Sequence, residues 1–244
     1  MEQIIYSRYS SHQQDMCILE LMKGKTGFFV DVGAGNGING SNTLLLEKNG
    51  WSGICIEPND ILWNALKNQS QRKCLIAKAV LFSSCGEFPF YFDNQNNSVL
   101  TKSNLEEIHE KRPPSLGDHL VFETEKAPNN HASYGGSGLV ETHHLNPEKI
   151  INPTLVRTVT LENLLDQSGA PKDIDLIDID VEGSEHDILK VFDFEKYNVK
   201  IICVECAHDN KKKIHNLLEG EGFKLHKSLG LDKIYIQAGF DGQV

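Results

Sequence analysis

The chain has 244 residues, 39% of them hydrophobic and 24% charged, and its 34 Asp and Glu outnumber its 24 Lys and Arg, for a net charge of −10. That composition excludes collagen, coiled coil and wholesale disorder, and a negative field repels both a phosphate backbone and an anionic lipid surface. No stretch approaches the roughly 18 apolar residues of a membrane span, and the amino terminus lacks a basic start before an apolar run, so we expect a cytoplasmic protein whose partners are neither nucleic acid nor membrane.

In chain order, helical spacing covers Asp15 to Met22, and an apolar strand runs from Gly27 to Val32 into a glycine-rich turn. A helix over Asn42 to Lys48, a strand from Gly53 to Glu57, a helix over Ile61 to Asn68 and a strand from Cys74 to Phe82 follow. The block from about 93 to 153 breaks this alternation, being rich in Asn, Ser, Gly, His and charge; we read it as a polar insertion or lid within one domain spanning 1–244, with a helix near Asn104 to Lys111 and a turn at Tyr134 to Gly138. Beyond it, helical spacing at Leu161 to Asp166, Ser184 to Phe192 and Asn210 to Glu219 alternates with strands at Ile174 to Asp180 and Val199 to Glu205. Ser184 and Asp187 have the spacing of a capping box. Gly222 to Ser228 and Asp232 to Gln237 form an antiparallel hairpin about Leu229-Gly230-Leu231. Buried strands alternating with helices indicate a mostly parallel, doubly wound α/β sheet, which binds ligands at the carboxyl ends of its strands. Cys55, Cys74 and Cys203 sit in apolar runs as small hydrophobes, and Cys203-x-x-Cys206 has no second pair to complete a zinc site.

Four segments carry chemistry. In Phe29-Val30-Asp31-Val32-Gly33-Ala34-Gly35-Asn36-Gly37 the glycines allow a tight turn and close approach to a ligand. A dinucleotide fingerprint would need a third Gly where Ile38 stands, which weighs against a nicotinamide oxidoreductase. Asp31 is placed to accept from an ammonium. Glu57, at the end of the next strand and followed by Pro58, can accept from both hydroxyls of a ribose and would repel a 2′-phosphate. Alternation along Ile174 to Asp180 sets Asp178 and Asp180 on one face, with Glu182 just beyond. The strand ending at Glu205 is followed by His208, Asp209 and Asn210, and neighbouring strand ends bring Asp180 and Glu205 over one crevice.

Together these segments resemble the FkbM-type methyltransferase family over nearly the whole chain. The match runs from Ser11-His12-Gln13-Gln14-Asp15 through FFVDVGAGNG, Gly40-Ser41-Asn42-Thr43 and the W-x-G-x-x-x-E-P of Trp51 to Pro58. It continues through Ala79-Val80 and Thr160-Leu161 to Asp180-Val181-Glu182-Gly183-Ser184-Glu185. The opening lacks the Gly that many members have before their Gln-Asp, which bears on Gln14. The resemblance implies a Rossmann-like class I methyltransferase sheet of seven strands, the last antiparallel, with helices on both faces.

It further implies S-adenosyl-L-methionine as cofactor. Asp31, Gly33, Gly35, Asn36 and Gly37 would hold its methionine moiety with support from Asn42 and Gln14, Glu57-Pro58 its ribose, and Ala79-Val80 would lie near the adenine. Acceptors in the family are mostly hydroxyls, which implies O-methylation of a sugar, a glycan or a hydroxylated small metabolite; a scaffold that keeps the fold without turnover is the alternative. Asp180, Glu182, Glu205 and His208 are the candidates for the base. Asp180 with Asp209 and Asn210 also resembles the oxygen-rich set of metal-dependent catechol-type O-methyltransferases and would suit Mg²⁺ or Ca²⁺, while Asp209 as a helix cap is the competing reading. Lys211-Lys212-Lys213 reads as a solvated helix face.

Overall fold

The computed structural model describes residues 9–69, 71–91, 121–123, 138–139, 154–206 and 210–240. Its strands are β1 (Phe28–Val32), β2 (Ser52–Ile56), β3 (Leu75–Lys78), β4 (Val80–Leu81), β5 (Gly86–Tyr91), β6 (Val121–Glu123), β7 (Gly138–Leu139), β8 (Thr154–Val159), β9 (Asp173–Ile179), β10 (Asn198–Glu205), β11 (Phe223–Leu229) and β12 (Asp232–Gln237). Its helices are α1 (Gln14–Leu21), α2 (Leu44–Lys48), α3 (Asp60–Lys67), α4 (Leu161–Ser168), α5 (Glu185–Leu189) and α6 (Asn210–Gly220).

The main sheet has the order β11-β12-β10-β9-β1-β2-β3-β6. Its centre, from β10 to β3, is parallel, whereas β12 runs antiparallel between β10 and β11. This is the expected seven-strand sheet, mostly parallel, with an antiparallel last strand. β6 adds an eighth strand, antiparallel to β3. Two apolar layers cover the faces, as they must when neither face of a parallel sheet meets water. Cys17 and Ile18 of α1 with Met22 just after it, Leu45 and Leu46 of α2 and Leu66 of α3 pack with Phe29, Cys55, Leu176, Ile201 and Cys203. On the other side Leu161, Leu164 and Leu165 of α4, Ile188 and Leu189 of α5 and Ile214 and Leu218 of α6 pack with Val30, Val32, Ile177, Ile179, Ile202 and Val204.

Three local expectations change. The apolar run from Cys74 to Phe82 is not one strand: it breaks at Ala79, and β4 leaves for a second sheet, β4-β8-β5-β7, in which β5 and β8 pair antiparallel on either side of the polar block. Ser184 does not cap α5 through its hydroxyl, which is buried without a partner. Glu185 does the work instead, its Oε1 accepting from the backbone N–H of Val181 (3.2 Å) and Gly183 (2.8 Å). The hairpin turn is Gly230-Leu231 alone, Leu229 closing β11. The helix expected near Asn104 to Lys111 lies outside the described residues, as does the turn from Tyr134 except Gly138, which belongs to β7.

Candidate functional site

The cleft opens at the carboxyl ends of β1, β2 and β9, on the face that α1 to α3 cover, because Asp31, Glu57, Asp178 and Asp180 all follow the odd-even phase that places Phe29, Cys55 and Leu176 there. Gly33 lets the ends of β1 and β9 approach closely, and its N–H donates to the Ile56 carbonyl of β2 at 2.9 Å. Its φ is +89°, and a Cβ on it would stand 1.9 Å from the backbone oxygen of Asp180, so no other residue fits. Gly35, at φ +56°, differs: a Cβ there would meet nothing within 4 Å, and the residue borders open cleft space. Asn36 shapes the turn itself, its Oδ1 accepting from the N–H groups of Ile38 and Asn39 at 3.0 Å each.

The half of the cleft beside β1 and β2 balances each carboxylate with donors. Glu57 is buried, and its two oxygens accept from the backbone N–H of Gly35 (2.9 Å) and Asn59 (2.8 Å). Burial outweighs these bonds and pushes its pKa up to about 8. Asp31 takes a hydrogen bond from the Thr43 hydroxyl and a weak one from the Cys55 thiol, and the Arg72 guanidinium lies 3.8 Å away. Burial still raises its pKa against those three favourable neighbours. Arg72 itself is fully enclosed. It pairs with Glu47 at 3.0 Å, donates to Thr43 Oγ1 (2.9 Å), Ser41 Oγ (3.3 Å) and the Gly37 carbonyl, and also contacts the thiols of Cys55 and Cys74.

The half beside β9, β10 and β12 sets acid against acid. Asp178 is buried and takes a bond from Asn42 Nδ2 at 3.0 Å, but burial and the nearby Asp31 hold its pKa well above the carboxylate range. Asp180 lines the cleft as an exposed residue; loss of water around its carboxyl group, then Glu205, Glu182, Asp232 and Asp178, raise its pKa well above the ordinary value. Burial, then Glu182, Glu185 and Asp232, raise Glu205 to about 7, with the neighbouring Asp180 offsetting part of the rise. Asp232 is raised by burial and steadied by Gln14, whose Nε2 donates to Oδ2. Gln14 Oε1 in turn accepts from the His12 N–H at 2.8 Å. A carboxyl group near neutrality that faces other carboxyl groups can take and return a proton in the physiological range.

The structure brings together Gln14, Asp31, Gly33, Gly35, Asn36, Asn42, Glu57, Pro58, Ala79, Val80, Asp180 and Glu182 as cleft lining, whereas Glu205, at the end of β10, is not in it. Gly37 is not in the lining: a Cβ at its φ of +75° would stand 2.3 Å from Leu66 Cδ1, so its role is packing, and its carbonyl accepts from Arg72. Asn210 does not line the cleft either, and its Nδ2 donates to the Gly183 carbonyl at 2.8 Å. His208 and Asp209 lie outside the described residues, among which no group of three His, Cys, Asp or Glu could hold a metal ion. Sequence reasoning missed Arg72, Thr43, Ser184 and Asp232. Thr43 and Ser184 carried a signal, as the end of Gly40-Ser41-Asn42-Thr43 and within Asp180-Val181-Glu182-Gly183-Ser184-Glu185; Arg72 and Asp232 carried none.

The model of the methyltransferase FkbM domain matches residues 31–225. No curated protein matches the chain. Among solved structures, precorrin-6y C5,15-methyltransferase from Geobacter metallireducens GS-15 is similar at 11% identity and a TM-score of 0.43, over 98% of this chain and 93% of that one. No helix among the described residues is long and apolar enough to cross a membrane.

Proposed function

We propose that the chain, which belongs to the methyltransferase FkbM family, is an O-methyltransferase that uses S-adenosyl-L-methionine to methylate a hydroxyl of a sugar, a glycan or a hydroxylated small metabolite. The observation that carries this reading is the convergence of Asp31, Glu57, Ala79-Val80 and Asp180 on one cleft at the carboxyl ends of the sheet. The residues present fit the cofactor. Each Glu57 oxygen spends one lone-pair direction on a backbone N–H and keeps another for a ribose hydroxyl. Asn42 Oδ1 is buried in the wall with no partner and suits an ammonium donor, and Gly35 opens onto free space.

When bound, the cofactor supplies an activated methyl on a sulfonium. The protein's remaining tasks are to align the acceptor oxygen and to remove its proton. We assign proton removal to Asp180, which lines the cleft, with Glu205, which sits near 7 at the end of the neighbouring strand. An isolated carboxylate near 4 would be a weaker base. Glu182 borders the same space at a left-handed φ of 57°. The net charge of −10 favours an uncharged or cationic acceptor over nucleic acid.

Calorimetric titration of S-adenosylhomocysteine into wild type and Glu57→Ala, with NADH as control, tests the cofactor. Binding by wild type, roughly tenfold weaker binding by the variant and none of NADH are expected, because the variant loses both acceptor oxygens of Glu57. Transfer of labelled methyl to a panel of hydroxylated sugars and small alcohols, with and without Mg²⁺, then tests the acceptor. If wild type ignores S-adenosylhomocysteine, the proposal is wrong.

A further inference from the structure

Behind the cleft lies a pair of thiols for which the methyl-transfer chemistry has no use. Cys55 on β2 and Cys74, just before β3, come from neighbouring parallel strands, and both are free. Their Sγ atoms are 3.4 Å apart, and a disulfide holds its sulfurs at about 2 Å, so a short approach would join them. Cys55 is wholly enclosed, while Cys74 is the outer member: it is 8% exposed, and Lys73 before it faces solvent. The Cys74 N–H is tethered to Glu47 Oε1 at 2.7 Å. Arg72 sets its guanidinium against both sulfurs, with Nη2 at 2.5 Å from Cys55 Sγ and 3.7 Å from Cys74 Sγ. A fixed cation beside sulfur stabilises negative charge developing there, which is the condition for a thiol to react. Core packing accounts for one buried thiol; it requires neither a second thiol in contact nor a guanidinium on both. Cys55 also touches the cleft wall from behind, its thiol donating to Asp31 Oδ2 at 3.7 Å.

We propose that Cys55 and Cys74 are a redox-active dithiol that a hydroperoxide closes to a disulfide, and that closure withdraws a hydrogen-bond donor from Asp31 in the cleft wall. The dithiol stands without the methyl-transfer reading above; only its effect on the cofactor rests on that reading. The chemistry takes two steps. Cys74 Sγ, the more accessible sulfur, attacks one peroxide oxygen; the O–O bond breaks, the departing oxygen takes the thiol proton, and Cys74 becomes a sulfenic acid. Cys55 Sγ then attacks the Cys74 sulfur; the S–S bond forms, the S–O bond breaks, and the hydroxide leaves as water with the Cys55 proton. Each sulfur gives up one electron, and the two together reduce the peroxide. Burial and the neighbouring Cys74 keep Cys55 protonated in the resting protein, and Arg72 opposes them. The second step therefore falls where the cation lies closest. Once joined to Cys74, Cys55 has no S–H left to offer Asp31.

The test is hydrogen peroxide added to the folded chain, then alkylation of free thiols, tryptic digestion without reduction and mass spectrometry. Trypsin leaves Cys55 in the peptide 49–67 and Cys74 in the peptide 74–78. Oxidised wild type should yield these two peptides joined, dithiothreitol should separate them, and Cys74→Ala should leave 49–67 alkylated and free. Cys85 is exposed and reports that the oxidant has acted. Oxidation of Cys85 with both peptides still free would overturn the proposal, as would pairing of Cys55 or Cys74 with any other cysteine. The second readout is calorimetry with S-adenosylhomocysteine. Oxidised wild type should bind roughly threefold more weakly than reduced wild type, and Cys74→Ala should bind equally before and after peroxide. Joined peptides with unchanged affinity would overturn the link to Asp31. If reduced wild type does not bind S-adenosylhomocysteine at all, the methyl-transfer reading falls, and the peptide map still decides the dithiol.

Discussion

The two halves of the cleft handle buried charge in opposite ways. Beside β1 and β2, a carboxylate is placed only where donors already wait for it: Thr43 and Arg72 for Asp31, the N–H groups of Gly35 and Asn59 for Glu57. Beside β9, β10 and β12, Asp180, Glu205 and Asp232 are placed against one another. The first arrangement is finished before a ligand arrives and serves positioning. The second is left out of balance, and its imbalance is what a cation or a proton can work on.

The largest effect should come from undoing the finished half. Arg72→Met leaves Asp31 and Glu47 buried without their cation and should destabilise the fold by about 3–5 kcal/mol, measured by urea unfolding. Asp180→Asn removes one acid from a crowd and should leave stability unchanged or raise it; a loss as large as that of Arg72→Met would erase the contrast between the halves. Next comes Gly33→Ala, whose methyl would collide with the Asp180 backbone and whose φ is left-handed, at about 3 kcal/mol. The same change at Gly35 meets no atom and should lower the melting temperature less, through backbone strain of about 1 kcal/mol.

A smaller effect concerns pH. With Glu57 raised to about 8, a ribose-binding carboxylate forms only as the pH climbs, so affinity for S-adenosylhomocysteine should rise between pH 6 and 8, and Glu57→Gln should flatten that rise. Stability moves the other way. The folded state holds this proton more tightly than the unfolded chain, so the stabilising contribution of Glu57 is complete below the unfolded value of 4.5 and is lost as the pH rises toward 8. The smallest effect is expected at Lys211, Lys212 and Lys213, exposed on α6, where replacement by Ala should change stability by no more than about 0.5 kcal/mol each.

What could be read from sequence was local. Asp31 to Gly37 and Glu57 announce themselves because strand, turn and carboxylate are contiguous, and Asp180 with Glu205 follows from two adjacent strand ends. Arg72 could not be read that way. It sits in the polar run Gln69-Ser70-Gln71-Arg72-Lys73, which resembles any surface loop, and its burial depends on Glu47, Cys55 and Asp31 arriving from elsewhere. Asp232 looks like the residue that closes a hairpin turn. It reaches the cleft only because β12 inserts between β10 and β11. Gly37 failed for a different reason: the motif predicts a glycine, but only the position of Leu66 shows that the glycine serves packing rather than a ligand.

The bond from Gln14 to Asp232 joins residues 218 positions apart. Its consequence lies in the order of assembly. During synthesis the glycine turn and Glu57 emerge early, yet the acidic wall stays incomplete until β12 has slid into its slot beside β10 and met α1. Contacts of such long range form late and slowly. A complete cleft should therefore be among the last properties a growing chain acquires, and a nascent chain released before β12 would carry Glu57 and the glycine turn without Asp232 in the wall.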